Sequence, residues 1–192
     1  MRDDAMLRLF AFLPRSRANG PGERAVIWVQ GCTLACPGCF NPGSHDPRAG
    51  EALSVETLFR DIAEIRGIEG VTISGGEPLQ QYRPLLRLLK RVRLELGLSV
   101  IVWSGFSWEQ VGRMPDAGRL FQSVDVLICG RFEQTRLIAR AMRGSDNKTV
   151  HFLSGRYTLA DIESVPESEV IIGPDGRITV SGVGPLLMER AS

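Results

Sequence analysis

The stretch RAVIWVQGCTLACPGC, residues 24–39, joins a run of β-branched and aromatic residues to a loop with three cysteines. The run 24–31 predicts a buried strand, because such side chains suit a pleated surface covered by its neighbours. Cys32, Cys36 and Cys39 follow within eight positions, beside glycine and proline. A buried strand that leads into a cluster of thiols predicts a functional site at the strand's carboxyl end.

Strand and helix patterns alternate through the rest of the chain. The predicted strands are 24–31, 71–76, 99–105, 123–130 and 148–153, the predicted helices are 54–67, 78–97 and a short one from Ser107, and 169–182 predicts a hairpin. Ser54 is expected to cap the first helix and Gly67 to end it. Pro84 either kinks the second helix or marks its start.

The alternation favours a mostly parallel sheet with helices packed on it. A closed eight-unit barrel typically needs about 250 residues, more than this chain offers. We therefore expect an α/β fold, a partial, open (β/α)-type barrel of about five or six mostly parallel strands with a C-terminal hairpin.

The composition is that of an ordinary globular protein. The chain has 192 residues, of which 43% are hydrophobic and 23% charged, and we expect one domain over residues 1–192. Its net charge of +1 gives no reason to expect nucleic acid or an anionic membrane as a partner. Neither a membrane span nor a secretion signal is evident, so we expect a cytoplasmic protein. In that compartment a tight cysteine cluster is more often a metal or catalytic site than a disulfide.

The Cys-x3-Cys-x2-Cys spacing is compatible with two kinds of metal site. A structural zinc ion needs four ligands, and His45 is available as the fourth, which would make the chain a zinc-stabilised binding module. A [4Fe–4S] cluster has four irons, so three thiolates leave one iron free for a substrate or cofactor. The sequence contains no second pair of ligands, which favours the iron–sulfur cluster.

The same residues resemble the radical S-adenosylmethionine (SAM) superfamily, in which C-x3-C-x2-C follows a first strand. The stretch SGGEP, residues 74–78, is similar to that superfamily's Gly-Gly-Glu motif, which binds the amino group of the SAM methionine. NGPGERAVIWVQGC, CPGCFNPG, VWSGFSWEQV, SVDVLICGRF and RGSDNK resemble the small activating proteins of anaerobic (class III) ribonucleotide reductases.

The resemblance implies a site and a set of cofactors. Cys32, Cys36 and Cys39 would ligate the [4Fe–4S] cluster, and no catalytic residue beyond the cluster and SAM is expected. SAM would contact Gly38 and Phe40 at the adenine, Ser74, Gly75, Gly76 and Glu77 at the methionine, and Ser104 at the ribose.

The resemblance also implies a reaction. The reduced cluster would cleave SAM to a 5′-deoxyadenosyl radical, which abstracts hydrogen from a glycine of a partner glycyl-radical enzyme such as class III ribonucleotide reductase. An external one-electron reductant would be needed. The alternative within the same chemistry is a small molecule or another peptide as the substrate.

Three positions carry further expectations. Cys129 stands where the resembling subgroup tends to have aspartate, and its apolar surroundings predict a small buried side chain. We expect Trp28 and Trp103 to serve in packing and not in binding a cofactor.

Overall fold

The computed structural model describes residues 5–184. Its strands are β1 (Met6–Ser16), β2 (Arg24–Val29), β3 (Glu51–Ser54), β4 (Gly70–Gly75), β5 (Ser99–Trp103), β6 (Val126–Cys129), β7 (Leu137–Arg140), β8 (Arg143–Ser145), β9 (Thr149–Phe152), β10 (Ser168–Ile172) and β11 (Ile178–Gly182). Its α-helices are α1 (Val55–Glu64), α2 (Tyr82–Leu96), α3 (Trp108–Gly112), α4 (Ala117–Ser123) and α5 (Leu159–Glu163). None of the helices in this part of the chain is long and apolar enough to cross a membrane.

Seven strands form one sheet in the order β3-β1-β2-β4-β5-β6-β9. The four inner strands β2, β4, β5 and β6 run parallel, whereas β1, β3 and β9 are antiparallel to their neighbours. The sheet is open, with β3 and β9 at its two edges. β10 and β11 form a separate hairpin. The predicted α/β class, the parallel centre of the sheet and the C-terminal hairpin are confirmed.

Four of the strands are missing from the sequence prediction. In β1, Leu7 and Leu9 are buried, but register shifts between Leu9 and Ala11 and between Leu13 and Ser16 interrupt the two-residue period. β3 has only four residues. β7 and β8 turn through Ala141 and Met142, which have φ of 52° and 58° although neither residue type signals such a turn.

The helix boundaries correct two expectations. Ser54 caps α1 as predicted, because its hydroxyl accepts a hydrogen bond from Thr57 N at 3.0 Å. The helix ends at Glu64 and not at Gly67, since Ile65 already has extended backbone angles. Residues Pro78–Gln81 form a 3₁₀ turn before α2, so Pro84 lies in the first turn of that helix. Proline has no backbone N–H, but the N–H groups of the first helical turn have no partner within the helix, so no helical hydrogen bond is lost.

α1 and α2 cover one face of the sheet and build the main core. The helical residues buried in it are Leu58, Ile62, Leu85, Leu88, Leu89 and Val92, and the strand residues beneath them include Val71, Ile73, Val100 and Val102. A smaller core around Ile101, Val126 and Ile128 covers the opposite face, because successive residues of a strand point to opposite sides. The inner strands are therefore buried on both faces, and their ends remain free to carry a site.

A buried arginine closes the amino end of the sheet. Arg24, at the start of β2, is fully buried and donates to the hydroxyls of Thr72 and Ser99 at 2.8 Å each, to Tyr157 at 3.1 Å and to the Val71 carbonyl at 3.0 Å. Burial lowers the pKa of Arg24, and the nearby Tyr157 acts in the opposite direction. The guanidinium thus links the starts of β2, β4 and β5.

We expect Leu88→Ala to lower the free energy of unfolding by about 2–5 kcal/mol, because Leu88 is fully buried between α2 and the sheet and its truncation leaves a cavity. Urea denaturation followed by circular dichroism measures the change. Leu94→Ala, on the same helix but 71% exposed, is the control and should change the value by less than about 0.5 kcal/mol. Equal losses in the two variants would contradict the assigned helix orientation.

Candidate active site

A cavity of about 350 Å³ lies where the parallel strands end. Its walls come from the cysteine loop after β2, from Ser74–Glu77 at the end of β4, and from Ser104 and Gly105 after β5. Phe132 and Lys148 on one side and residues of β11 on another complete it. The carboxyl ends of parallel strands are the usual binding edge of an open α/β sheet.

The three cysteines of the loop all line this cavity and are partly exposed. The loop is anchored by backbone hydrogen bonds from Gly31 N to Ser44 O at 2.7 Å and from Cys32 N to His45 O at 3.1 Å. Burial raises the pKa of the Cys32 thiol. The thiols are therefore held against one cavity by a loop whose two ends are bonded together.

The donor set fits a [4Fe–4S] cluster. Within residues 5–184, no three His, Cys, Asp or Glu side chains converge closely enough to hold a single metal ion. A [4Fe–4S] cluster does not need that convergence, because each thiolate ligates a different iron. Three soft thiolates facing one cavity match such a cluster and leave its fourth iron open to a ligand in the cavity.

The two glycines of SGGEP are required by the neighbouring strand. Gly76 N donates to Val29 O at 2.8 Å, and Glu77 N donates to Gly31 O at 2.9 Å. A Cβ on Gly75, where φ is 102°, would lie 2.5 Å from the Val29 nitrogen, and one on Gly76 would collide with the Gly31 carbonyl oxygen. The glycines therefore allow the end of β4 to pack directly against the start of the cysteine loop.

Glu77 is buried, 1% exposed, at the base of the cavity. Its carboxylate accepts hydrogen bonds from Leu79 N at 2.9 Å, from the Ser104 hydroxyl at 2.9 Å and from Gly105 N at 2.7 Å. Burial raises the pKa of Glu77, and these hydrogen bonds lower it. A carboxylate has about four acceptor positions, so three protein donors leave room for one more. The side chain thus connects the ends of β4 and β5 and keeps capacity for a ligand.

Of the remaining residues that the resemblance assigns to SAM, Ser104 and Phe40 line the cavity, whereas Gly38 does not. Ser104 lines the cavity, but its hydroxyl donates to Glu77 and accepts from Phe106 N at 3.1 Å. Phe40 lines the cavity with 51% of its surface exposed, its ring 4.5 Å from that of Phe132. Gly38 lies in the turn closed by Cys39 N and Cys36 O, outside the cavity wall.

Several cavity residues were missed by sequence reasoning. Trp28 and Trp103, expected only to pack, line the cavity, and Trp103 Nε1 also donates to Met142 O at 2.8 Å. Successive residues of a strand point to opposite faces of the sheet, so Trp28 in β2 and Trp103 in β5 point away from the main core. This alternation is the sequence signal that could have identified them. His45, considered from the sequence only as a zinc ligand, lines the cavity too, and its buried Nε2 has no hydrogen-bond partner among residues 5–184. Lys148 carried no signal beyond its place in RGSDNK.

Cys129 is the buried small residue that its sequence context predicts. Its side chain is 1% exposed in the main core, and burial raises the pKa of its thiol to about 12. The thiol is therefore neutral at physiological pH and lies outside the cavity wall.

Comparison with known proteins agrees with this site. Residues 18–151 match the family described as "4Fe-4S single cluster domain". The fold, the cysteine loop and this match define a protein that carries a single [4Fe–4S] cluster. Anaerobic ribonucleoside-triphosphate reductase-activating proteins from Salmonella typhimurium and Haemophilus influenzae are 30% and 32% identical to the chain. The alignments cover 77% of this chain and 99% of the first relative, and 73% of this chain and 94% of the second.

A viral relative of the same name, from Enterobacteria phage T4, is 30% identical over 70% of this chain and 87% of its own length. The chain belongs to the family of these reductase-activating proteins. Among solved structures, QueE from Escherichia coli aligns with a TM-score of 0.45 and 18% identity, over 53% of this chain and 54% of that one, too distantly to bear on fold or chemistry.

We expect Glu77→Ala to lower the free energy of unfolding by about 1–3 kcal/mol, because three buried donors lose their acceptor. Glu77→Gln should lose less, since its amide oxygen still accepts. Chemical denaturation of the metal-free protein measures both changes. Glu64→Ala, at an exposed position of α1, is the control. A Glu77→Ala variant as stable as that control would show that the carboxylate does not connect β4 to β5.

Proposed function

We propose that the chain is a single-domain, cytoplasmic radical SAM activating protein that generates a glycyl radical in an anaerobic ribonucleoside-triphosphate reductase. The observation that carries the proposal is the meeting of the three-cysteine loop with Gly75, Gly76 and Glu77 in one cavity. The relatives named as activating proteins of that reductase support the choice of partner.

When bound, the reduced cluster supplies the electron that cleaves SAM to methionine and a 5′-deoxyadenosyl radical. In this proposal Cys32, Cys36 and Cys39 ligate three irons. Iron–sulfur reduction potentials reach strongly negative values, so reduction of the cluster would require an external one-electron reductant.

Different residues of the cavity wall would bind different parts of SAM. The free acceptor position of Glu77 would receive a hydrogen bond from the SAM ammonium, and the backbone of residues 74–76 would hold the methionine end. Phe40 would pack on the adenine, with Gly38 in the turn behind the cavity wall, and Ser104, which orients Glu77, would meet the ribose. The protein would thereby position SAM, while the cluster would provide the chemistry.

Cavity size and surroundings support a polypeptide substrate. The cavity volume of about 350 Å³ is at the low end of the range for small-ligand sites. SAM alone would fill a cavity of this size, which leaves little space for a second small molecule. The cavity is bordered by exposed apolar side chains, Phe10 at 45%, Phe40 at 51% and Val180 at 49%. A protein loop that carries the reactive glycine fits such a border better than a second small molecule does.

The hairpin β10–β11 extends this apolar border. Val170 pairs with Val180 and Ile172 with Ile178, and all four side chains are about half exposed or more. Glu169 fixes the hairpin to the end of β1 by accepting from the Ser16 hydroxyl and, at 2.9 Å, from Arg17 N. Exposed apolar surface of this kind marks a protein-binding site.

Mixing the anaerobically reconstituted protein with SAM, a one-electron reductant and the reductase should produce the doublet electron paramagnetic resonance signal of a glycyl radical. The reconstituted protein should contain about four irons and four sulfides. Cys36→Ala should lose both the iron and the signal. A full cluster with no glycyl signal, together with a low-molecular-weight product from cell extract, would replace the proposal with a small-molecule substrate. Stoichiometric zinc without iron would leave a zinc-stabilised binding module.

We expect Ile178→Glu to raise the reductase concentration needed for half-maximal activation by roughly tenfold, equivalent to about 1.4 kcal/mol of binding free energy. Ile178 is 64% exposed and outside the cavity wall, so slow SAM cleavage without reductase should not change. Leu94→Glu, at a position 71% exposed on α2, is the matched control and should leave both measurements as they are. Normal activation by Ile178→Glu would exclude the hairpin from the partner interface.

A further inference from the structure

Lys148 is a charged residue of the cavity to which the proposed reaction gives no role. We infer that Lys148 is a positioning residue for electron transfer, whose ammonium raises the reduction potential of the cluster by stabilising the added negative charge. The inference rests on the cluster of the proposed function but not on the identity of the substrate.

The backbone and side chain of Lys148 are held at the end of β6. Its Nζ donates a hydrogen bond to the Gly130 carbonyl oxygen. A Cβ on Gly130 would lie 3.4 Å from the Cα of Lys148 and 3.7 Å from its Cγ, so the lysine passes closely over this glycine. From there the side chain lines the same cavity as Cys32, Cys36 and Cys39. The ammonium is thus fixed near the cluster position and does not swing freely in solvent.

Among the described residues, one carboxylate shares the cavity wall with Lys148. Among the described residues of the cavity wall, Glu77 is the one aspartate or glutamate, and Lys148 is the one lysine or arginine. No ion pair joins Lys148 to an aspartate or glutamate of residues 5–184. The Glu77 carboxylate already serves three hydrogen-bond donors. Lys148 therefore interacts electrostatically both with the thiols, Cys36 most strongly, and with Glu77, and it forms no close ion pair with either carboxylate oxygen of Glu77.

The electrostatics of the lysine agree with this position. Burial lowers the pKa of Lys148, while its electrostatic interactions with Cys36 and Glu77 raise it. Cys36 is the strongest of these stabilising neighbours. Ligation to iron would hold Cys36 and Cys39 as thiolates, so a bound cluster would add anionic partners to that of Glu77.

Cys129 adds no second carboxylate near Lys148. Its thiol is close enough to interact electrostatically with Lys148, yet burial keeps it neutral. An aspartate at position 129 would place a carboxylate beside the ammonium and cancel much of its effect on the cluster. The pairing of a neutral Cys129 with a cationic Lys148 therefore favours the reduced cluster.

The physical effect has a definite sign. One-electron reduction adds one negative charge to the cluster, and the electron comes from the external reductant. A fixed positive charge close by stabilises the product more than the oxidised form, and the weakly screened cavity strengthens this attraction. Replacing the lysine by a neutral residue must therefore move the midpoint potential to a more negative value.

The test is an electron-paramagnetic-resonance redox titration of the reconstituted holoprotein without SAM. Lys148→Met should shift the midpoint to a more negative potential, whereas Lys148→Arg should keep it near that of the unaltered protein. Lys90→Met is the matched control, since Lys90 is the chain's one other lysine and is exposed on α2. Equal iron and sulfide contents must accompany each measurement.

A second variant tests the same charge without removing the lysine. Cys129→Asp should also lower the midpoint potential, because it adds a negative charge, whereas the neutral Cys129→Asn should not. An unchanged midpoint in a fully loaded Lys148→Met protein would overturn the inference. A shift that appears only with SAM bound would also overturn it and assign Lys148 to the SAM carboxylate. Because the potential is measured without reductase, a failure to form the glycyl radical would count against the proposed function alone.

Discussion

The backbone contact between the ends of β2 and β4 determines the site. Gly76 N bonds to Val29 O and Glu77 N to Gly31 O, which places the start of the cysteine loop directly beside the buried carboxylate. Side chains at Gly75 or Gly76 would occupy the space that this contact needs. The cysteine loop and the Gly-Gly-Glu segment are therefore one structural unit, although more than thirty residues separate them in the sequence.

The two ends of the parallel strands have opposite characters. At the amino end, Arg24 satisfies its donors with hydroxyls and carbonyls of β4, β5 and Tyr157, and the buried charge is enclosed by protein. At the carboxyl end, the thiols, one acceptor position of Glu77 and the ammonium of Lys148 face a cavity. The hydrogen bonds of Arg24 at the amino end stabilise the register of the strands. That register in turn fixes the positions of the cavity residues at the carboxyl end.

β1 and the hairpin β10–β11 lie outside residues 18–151 and contribute to the wall of this cavity together. β1 precedes the segment that matches the family and β10–β11 follows it, yet Glu169 bonds to Ser16 and Arg17, and Asn19 Nδ2 donates to the Ser181 hydroxyl at 2.6 Å. Phe10 from β1 and Val180 from β11 are both exposed at the cavity. The family segment thus carries the cysteine loop and Glu77, while its flanks shape the surface through which a partner would approach.

The sequence by itself determined the features that depend on neighbouring residues. The cysteine spacing, the Gly-Gly-Glu motif, the Ser54 cap and the apolar period of the inner strands are local signals. They were sufficient for the α/β class and for proposing a site at the carboxyl ends of the strands. Only the tertiary structure revealed β1 with its bulges, the tryptophans in the cavity wall, the bonds of Ser104 to Glu77 and the place of Lys148. These features arise from contacts between distant segments, and a local pattern carries no information about which partner a buried polar group will meet.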